Sequence, residues 1–240
     1  MGDDAFGKAF MDFHLGNESE LVFERDDGYS SSSDIPHYFR EPEGFPPYEK
    51  DALSYTNSKV LDVGCGAGRH SVWLQEEGFD VTSIDSSSLA LELCRRRGLE
   101  KLVQGELHHL PFGKGVFDSI VLLGNGFGLA GRLEDTIDLL RRLHEITKDD
   151  AVVITDSRNY ALTREKAHLE YHEANRRRGR PAGEVKIRAK CGSEVSNWFY
   201  LLMVTPREME EVCEKGGWRV KEFFEGVDPV FGAVLEKSRP

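Results

Sequence analysis

Val60-Leu61-Asp62-Val63-Gly64-Cys65-Gly66-Ala67-Gly68 decides the fold. A short apolar run ends in three glycines at alternate positions, and a helical pattern begins at once behind them. A strand that turns sharply into a helix, with a ligand close to its backbone, needs residues that lack a side chain and tolerate positive φ. The next apolar run, Asp80–Ile84, is closed by Asp85, seventeen residues past Gly68. An acid at the end of that strand accepts both hydroxyls of a ribose. Dinucleotide enzymes carry G-x-G-x-x-G, whose third glycine would fall at position 69. That position is Arg69, and the pattern is G-x-G-x-G. This feature counts against a nicotinamide enzyme.

Outward from the loop, short apolar runs alternate with helical stretches from Lys59 to Asp156. Strands are expected at Lys59–Val63, Asp80–Ile84, Lys101–Gln104, Phe117–Leu123 and Ala151–Thr155. Helices are expected over Gly68–Glu77, stopped by Gly78, over Ser87–Arg97, stopped by Gly98, and along Leu133, Ile137, Leu140 and Leu143. Unalternated strands separated by helices indicate a parallel sheet covered on both faces. Beyond Asp156 the pattern predicts a charged helical stretch over Tyr160–Arg178 and strands at Glu184–Lys190 and Glu194–Val204, turning at Cys191-Gly192-Ser193. Thr205-Pro206-Arg207-Glu208 reads as a capped helix start, with the helix ending at Gly216-Gly217. Trp218–Phe224 and Val230–Glu236 close the chain as strands. The fold class is α/β: a doubly wound, mainly parallel seven-stranded sheet with an antiparallel last strand, an N-terminal lid over residues 1–50, and an inserted cap at about 157–204 of the 51–240 domain.

Composition bounds the function. The 240 residues, 39% of them hydrophobic, suffice for one large domain with a core. No apolar run approaches the ~18 residues of a membrane span. Met1–Phe10 holds Asp3 and Asp4 and lacks the basic-then-apolar order of a signal peptide, so a cytoplasmic protein is expected. The net charge of −11 argues against a nucleic-acid partner gripped by the whole surface. Cys65, Cys94, Cys191 and Cys213 lie too far apart in sequence for a zinc site and read as reduced thiols; no metal is expected.

Four motifs in order resemble the class I, Rossmann-like methyltransferases that use S-adenosylmethionine, the small-molecule group above all. Val60–Ser71 is similar to their glycine motif and Val81–Ser86 to their ribose motif. Gly105-Glu106-Leu107-His108-His109-Leu110-Pro111-Phe112 is similar to their Gly-Asp-Ala-x-x-Leu-Pro-Phe. Phe117-Asp118-Ser119-Ile120-Val121 resembles their fourth strand. The likeness runs over Lys59–Asp156, and more loosely over Trp218–Lys237. It implies that Gly64, Cys65 and Gly66, with Gly68 behind them, line the methionine portion of S-adenosylmethionine. It implies that Asp85 holds the ribose with Ser86 beside the adenine, that Glu106 and Leu107 bracket the adenine, and that Leu123, Gly124 and Asn125 pass near the methionine end. Asp62, just before the loop, is placed to serve the cationic part, directly or through water. Glu106 departs from the usual aspartate by one methylene.

Methyl transfer is a displacement in which the protein supplies position, desolvation and charge, so no nucleophile triad is needed. Catalytic candidates are Asn125, between glycines after the fourth strand, and His37 and Tyr38 in the aromatic N-terminal segment. Candidates for holding the acceptor are Tyr38, Asn125, Arg158, His168, Tyr171, His172 and Trp198. His108 and His109 read as surface histidines beside the adenine motif. The prolines of the Asn/Asp-Pro-Pro-Tyr/Phe motif are missing, which counts against base amino methylation. The expected activity is methyl transfer to a small molecule. The rivals are an RNA or protein methyltransferase using the basic run Arg176–Arg178 with Arg180, and a non-catalytic protein that binds S-adenosylmethionine.

Overall fold

The computed structural model describes residues 4–238; residues 1–3 and 239–240, the outer ends of the expected lid and domain segments, lie outside the described residues. In chain order the first elements are α1 (Ala5–His14), β1 (Val22–Arg25), β2 (Ser30–Ser32) and α2 (Pro47–Leu53). Next come β3 (Lys59–Val63), α3 (Arg69–Glu76), β4 (Asp80–Asp85), α4 (Ser88–Arg96), β5 (Leu102–Gln104), β6 (Phe117–Leu122), α5 (Leu133–Ile146) and β7 (Thr147–Arg158). Then follow α6 (Lys166–Arg177), β8 (Glu184–Cys191), β9 (Glu194–Val195), β10 (Phe199–Leu202), α7 (Pro206–Lys215), β11 (Trp218–Glu225) and β12 (Val230–Lys237).

The main sheet has seven strands. Pairs β3–β4, β4–β5 and β6–β7 are parallel, and β12 is antiparallel to both β7 and β11. The antiparallel last strand is as expected from sequence. The chain divides into two compact units. One comprises the residues up to Phe45, Lys59–His109 and Lys186–Phe199; the other comprises Pro46–Ser58, Leu110–Val185 and the residues from Tyr200 onward.

In the first unit, β3 and β4 bury Val60, Leu61, Val63, Val81 and Ile84. Each such side chain contributes roughly 1.5–3 kcal/mol when removed from water. Ser87 caps α4 by accepting the Ala90 N–H at 2.9 Å, and Gly98 at φ 90° ends the helix region. The N-terminal segment is richer in structure than its composition suggests. Asp4 caps α1 through the Gly7 N–H at 2.9 Å. Ala5, Ala9 and Phe10 then join Leu21, Ile35, Ala67, Ala90 and Leu93 in one buried cluster. The β1–β2 hairpin extends this unit's second sheet, where Phe23 pairs with Ala189 of β8.

In the second unit, Ile120, Val121, Leu122, Val153, Ile154 and Ala233–Leu235 form the sheet's core. Trp218 is fully buried, and its indole N–H donates to the Leu140 carbonyl at 2.9 Å. The capping box at α7 is complete: Thr205 accepts the Glu208 N–H, and Glu208 accepts the Thr205 N–H. Two sequence expectations are corrected. The strand expected at Glu194–Val204 is two short pieces, β9 and β10, interrupted by Ser196-Asn197-Trp198, where Ser196 bonds backbone groups instead. The helical stretch expected from Tyr160 begins as a single tight turn, Tyr160–Leu162, and becomes α6 only at Lys166.

Candidate functional site

In the first unit the glycine loop leaves β3 and is pinned by its own backbone. Gly64 and Cys65 donate their N–H groups to the Ile84 carbonyl at 2.8 and 3.2 Å, and Gly68 donates to Cys65 at 2.8 Å. Gly64, Gly66 and Gly68 sit at φ 73°, 54° and 79°, a region that strains residues with a side chain. At Gly68 there is also no room, because an added Cβ would lie 2.9 Å from the Cys94 sulfur and 3.0 Å from Leu99.

Asp85, at the carboxyl end of β4, faces this loop. One carboxylate oxygen accepts the Gly66 N–H at 2.9 Å and the other accepts the Ser87 N–H at 2.9 Å. Burial raises the Asp85 carboxyl above its ordinary value, and the two N–H groups oppose that rise. A carboxylate offers about four lone-pair sites. One on each oxygen is taken, so one on each remains for a pair of neighbouring hydroxyls. That fits the ribose expected from sequence. Ser86 is exposed beside it, and after β5 Glu106 is exposed and Leu107 half-buried.

Asp62 is placed differently from its neighbours. It is 3% exposed, and its carboxylate accepts the Ser71 hydroxyl at 2.5 Å, with Ser83 2.7 Å beyond. Burial raises its carboxyl, while His70, Ser71 and Arg69 pull it back. This carboxylate ties β3 to α3 and β4 from inside.

Sequence reasoning missed the residues that tie the N-terminal segment to α4 and α3, and the end of α4 to the loop. Asp4 accepts the Ser87 hydroxyl at 2.8 Å and the Leu89 N–H at 3.3 Å. Arg97 donates to the Ala67 carbonyl at 2.6 Å, and Arg69 to the His37 carbonyl at 3.2 Å. The available signal was an acid followed by apolar residues at helical spacing, Asp4 before Ala5, Phe6, Ala9 and Phe10. Tyr38 packs on Phe10 with ring centres 4.8 Å apart, and its hydroxyl lies 3.3 Å from that of Ser33. The half-buried His37 ring lies edge-on to Tyr38. Trp198 is 38% exposed, with the Arg188 guanidinium 4.6 Å from its ring centre.

In the second unit, Leu123 and Gly124 follow β6, and Asn125 adopts φ 62°. Both ends of the Asn125 side chain serve backbone: Nδ2 donates to Leu202 at 3.4 Å, and Oδ1 accepts the Arg158 N–H at 3.1 Å. The Arg158 side chain is exposed. Buried Asp156 accepts the Gly126 N–H at 3.0 Å and the Tyr48 hydroxyl at 3.3 Å, so it joins the loop after β6 to α2. Tyr48 also reaches buried Glu49, at 3.1 Å. These two acids and the phenol are a polar group that the sequence pattern did not single out.

The α6 candidates do not share one environment. His168 sits against Thr163 and Glu165 in the preceding turn, Tyr171 is buried, and buried His172 lies edge-on to Tyr160, 5.1 Å between ring centres. Burial and a hydrogen bond to Glu208 push the Tyr160 phenol up to about 12. In the basic run, Arg176 and Arg177 both pair with Glu173 on the same helix, and Arg178 closes its end. Among the described residues no group of His, Cys, Asp or Glu is arranged to hold a metal ion, and no helix is long and apolar enough to cross a membrane.

A glycine turn between β3 and α3, an acid ending β4, and a mainly parallel sheet closed by an antiparallel strand define a Rossmann-like α/β protein built to bind a nucleoside. The methyltransferase domain family matches residues 60–175. The whole fold is similar to a SAM-dependent methyltransferase from Bacteroides fragilis in complex with S-adenosyl-L-homocysteine, with TM-score 0.84 and 26% identity over 99% of this chain and 96% of that one. The chain is similar in sequence over residues 60–175, and in its whole fold, to the class I S-adenosylmethionine-dependent methyltransferases. It is 36% identical over 107 residues to glycine/sarcosine N-methyltransferase of Parasynechococcus marenigrum (strain WH8102), covering 42% of this chain and 38% of that protein. It is 33% identical over 119 residues to glycine N-methyltransferase of Rattus norvegicus, covering 42% and 41%. The chain thus spans about two fifths of the length of these two relatives.

Proposed function

We propose that this protein transfers a methyl group from S-adenosylmethionine to the amine nitrogen of a small molecule. The observation that carries the cofactor half is Asp85, held by the Gly66 and Ser87 N–H groups with one acceptor site left on each oxygen. Asp85 takes the two ribose hydroxyls, Gly64, Cys65 and Gly66 line the methionine portion, Gly68 lets the loop turn into α3, and Leu107 and Glu106 flank the adenine. S-adenosylmethionine, when bound, supplies an electrophilic methyl group on a sulfonium.

The amine half rests on the relatives, which are named for nitrogen methylation of glycine and sarcosine. A small acceptor is favoured over RNA by the net charge of −11 and by the pairing of Arg176 and Arg177 with Glu173. Asn125 acts here by shaping the turn after β6, since both ends of its side chain already serve backbone groups.

The test is a transfer assay with methyl-labelled S-adenosylmethionine over glycine, sarcosine and a panel of primary and secondary amines, run beside alcohols, thiols and carboxylates. Label is expected on an amine. Label found only on oxygen or sulfur would reject the amine, and a protein that binds neither S-adenosylmethionine nor its demethylated product would reject the cofactor.

A further inference from the structure

Two of the four cysteines meet at the glycine loop. Cys65 lies within the loop and Cys94 in α4, and their sulfurs are 3.9 Å apart. The Cys94 thiol also donates to the Gly66 carbonyl at 3.4 Å and occupies the space where a side chain on Gly68 would stand. One sulfur on α4 therefore meets the loop at Cys65, Gly66 and Gly68. Leu91 and Leu99 enclose the pair in a small apolar cluster. Neither the fold nor the proposed reaction requires two thiols here.

We propose that Cys65 and Cys94 form a peroxide-sensitive pair whose oxidation to a disulfide weakens cofactor binding by the glycine loop. The consequence for binding rests on the cofactor reading above; the thiol chemistry does not. Cys65 is 9% exposed and Cys94 is fully buried, so Cys65 meets the oxidant. Its thiolate attacks hydrogen peroxide, the O–O bond breaks, and a sulfenic acid and one water result. The Cys94 thiol then gives up its proton, attacks the Cys65 sulfur and displaces a second water. Two thiols lose two electrons and two protons in all, and one peroxide becomes two waters.

A disulfide holds its sulfurs about 2 Å apart, so the pair must close by roughly that distance again. The helix is the fixed partner, because α4 is capped by Ser87 and clamped by Asp4. The loop is the movable one, because Gly64 and Gly66 flank Cys65 in conformations that glycine leaves and re-enters without strain. Closing the bond takes the Cys94 sulfur away from the Gly66 carbonyl and draws Cys65 toward α4. The Gly66 N–H that holds Asp85 moves with it. The hydrogen bond that the Cys65 thiol donates to Cys94, together with burial, pushes that thiol well above its ordinary value. The reactive thiolate is therefore scarce at neutral pH, and oxidation quickens as pH rises.

The full chain is treated with hydrogen peroxide, quenched with iodoacetamide and mapped by peptide mass spectrometry. Binding of S-adenosylhomocysteine is measured before oxidation, after it, and after dithiothreitol. The expected result is a Cys65–Cys94 linkage with Cys191 and Cys213 alkylated, at least a tenfold loss of affinity, and full recovery on reduction. Cys94→Ser keeps a donor for the Gly66 carbonyl; it should bind like the parent when reduced and yield no linkage. Persistence of both thiols at peroxide levels that oxidise the chain's methionines overturns the proposal. So does a linked protein that binds as tightly as the reduced one. A reduced protein that fails to bind S-adenosylhomocysteine rejects the cofactor reading instead, and the mapping still decides whether the pair oxidises.

Discussion

Replacing Asp85 with alanine removes the one side chain that both holds the glycine loop and faces the expected ribose. In the structure it accepts from Gly66 and Ser87, each at 2.9 Å. Two hydroxyls docking on the remaining acceptor sites would make two charge-assisted hydrogen bonds, each about 1.5–3 kcal/mol. The site is half-open, so the lower end applies, and about 3 kcal/mol is lost in total. At 1.4 kcal/mol per decade that is roughly a hundredfold rise in the dissociation constant of S-adenosylhomocysteine. Isothermal titration calorimetry reads it directly, and Asp85→Asn, which keeps one acceptor oxygen, should fall between the two. Stability is read separately by urea unfolding, since Gly66 and Ser87 lose their partner as well. A folded Asp85→Ala protein that binds within twofold of the parent would refute the assignment and the lone-pair argument behind it.

Other outcomes follow from packing and titration. Thr205→Ala breaks the reciprocal cap of α7 and should cost about 1 kcal/mol in urea unfolding, with ligand binding unchanged. Gly128→Ala should leave little folded protein in a circular dichroism melt, because the added Cβ would stand 1.7 Å from the Leu202 carbonyl oxygen, which is backbone and cannot swing away. Trp218→Phe loses the buried bond to Leu140 and part of the ring's volume, for about 2–3 kcal/mol of stability. Asp62 has a folded-state pKa raised above 3.8 by burial, so the native state holds its proton more tightly than the unfolded chain does. Its contribution to stability is fully present below 3.8 and is lost as pH rises through the raised value. The difference in unfolding free energy between Asp62→Asn and the parent should therefore shift in favour of the variant from acid to neutral pH.

The parallel core was legible because its signals are local. Val60, Leu61 and Val63 form a short apolar run, interrupted only by Asp62, before the glycines, and Thr205 with Pro206 and Glu208 spells a helix start within four residues. Asp85 was legible for the same reason, as the last residue of a short strand at a fixed distance from the loop. What escaped depends on partners distant in sequence. The fate of Phe10 is set by Tyr38, Ala67 and Leu93, and β1 finds its partner in β8, more than a hundred residues on. The tie between Tyr48 and Asp156 is of the same kind. Asp62 shows the limit from the other side: its position beside the loop suggested a ligand contact, while its carboxylate points to Ser71.

The bond from the Gly66 N–H to Asp85 has a kinetic meaning. The loop is shaped by the chain's own groups before any ligand arrives, so its conformational entropy is surrendered during folding and not at each turnover. Spent cofactor can leave and fresh cofactor enter past a loop that keeps its form. Exchange is then governed by how fast molecules reach and leave a standing receptor, with no disorder-to-order step added to every cycle.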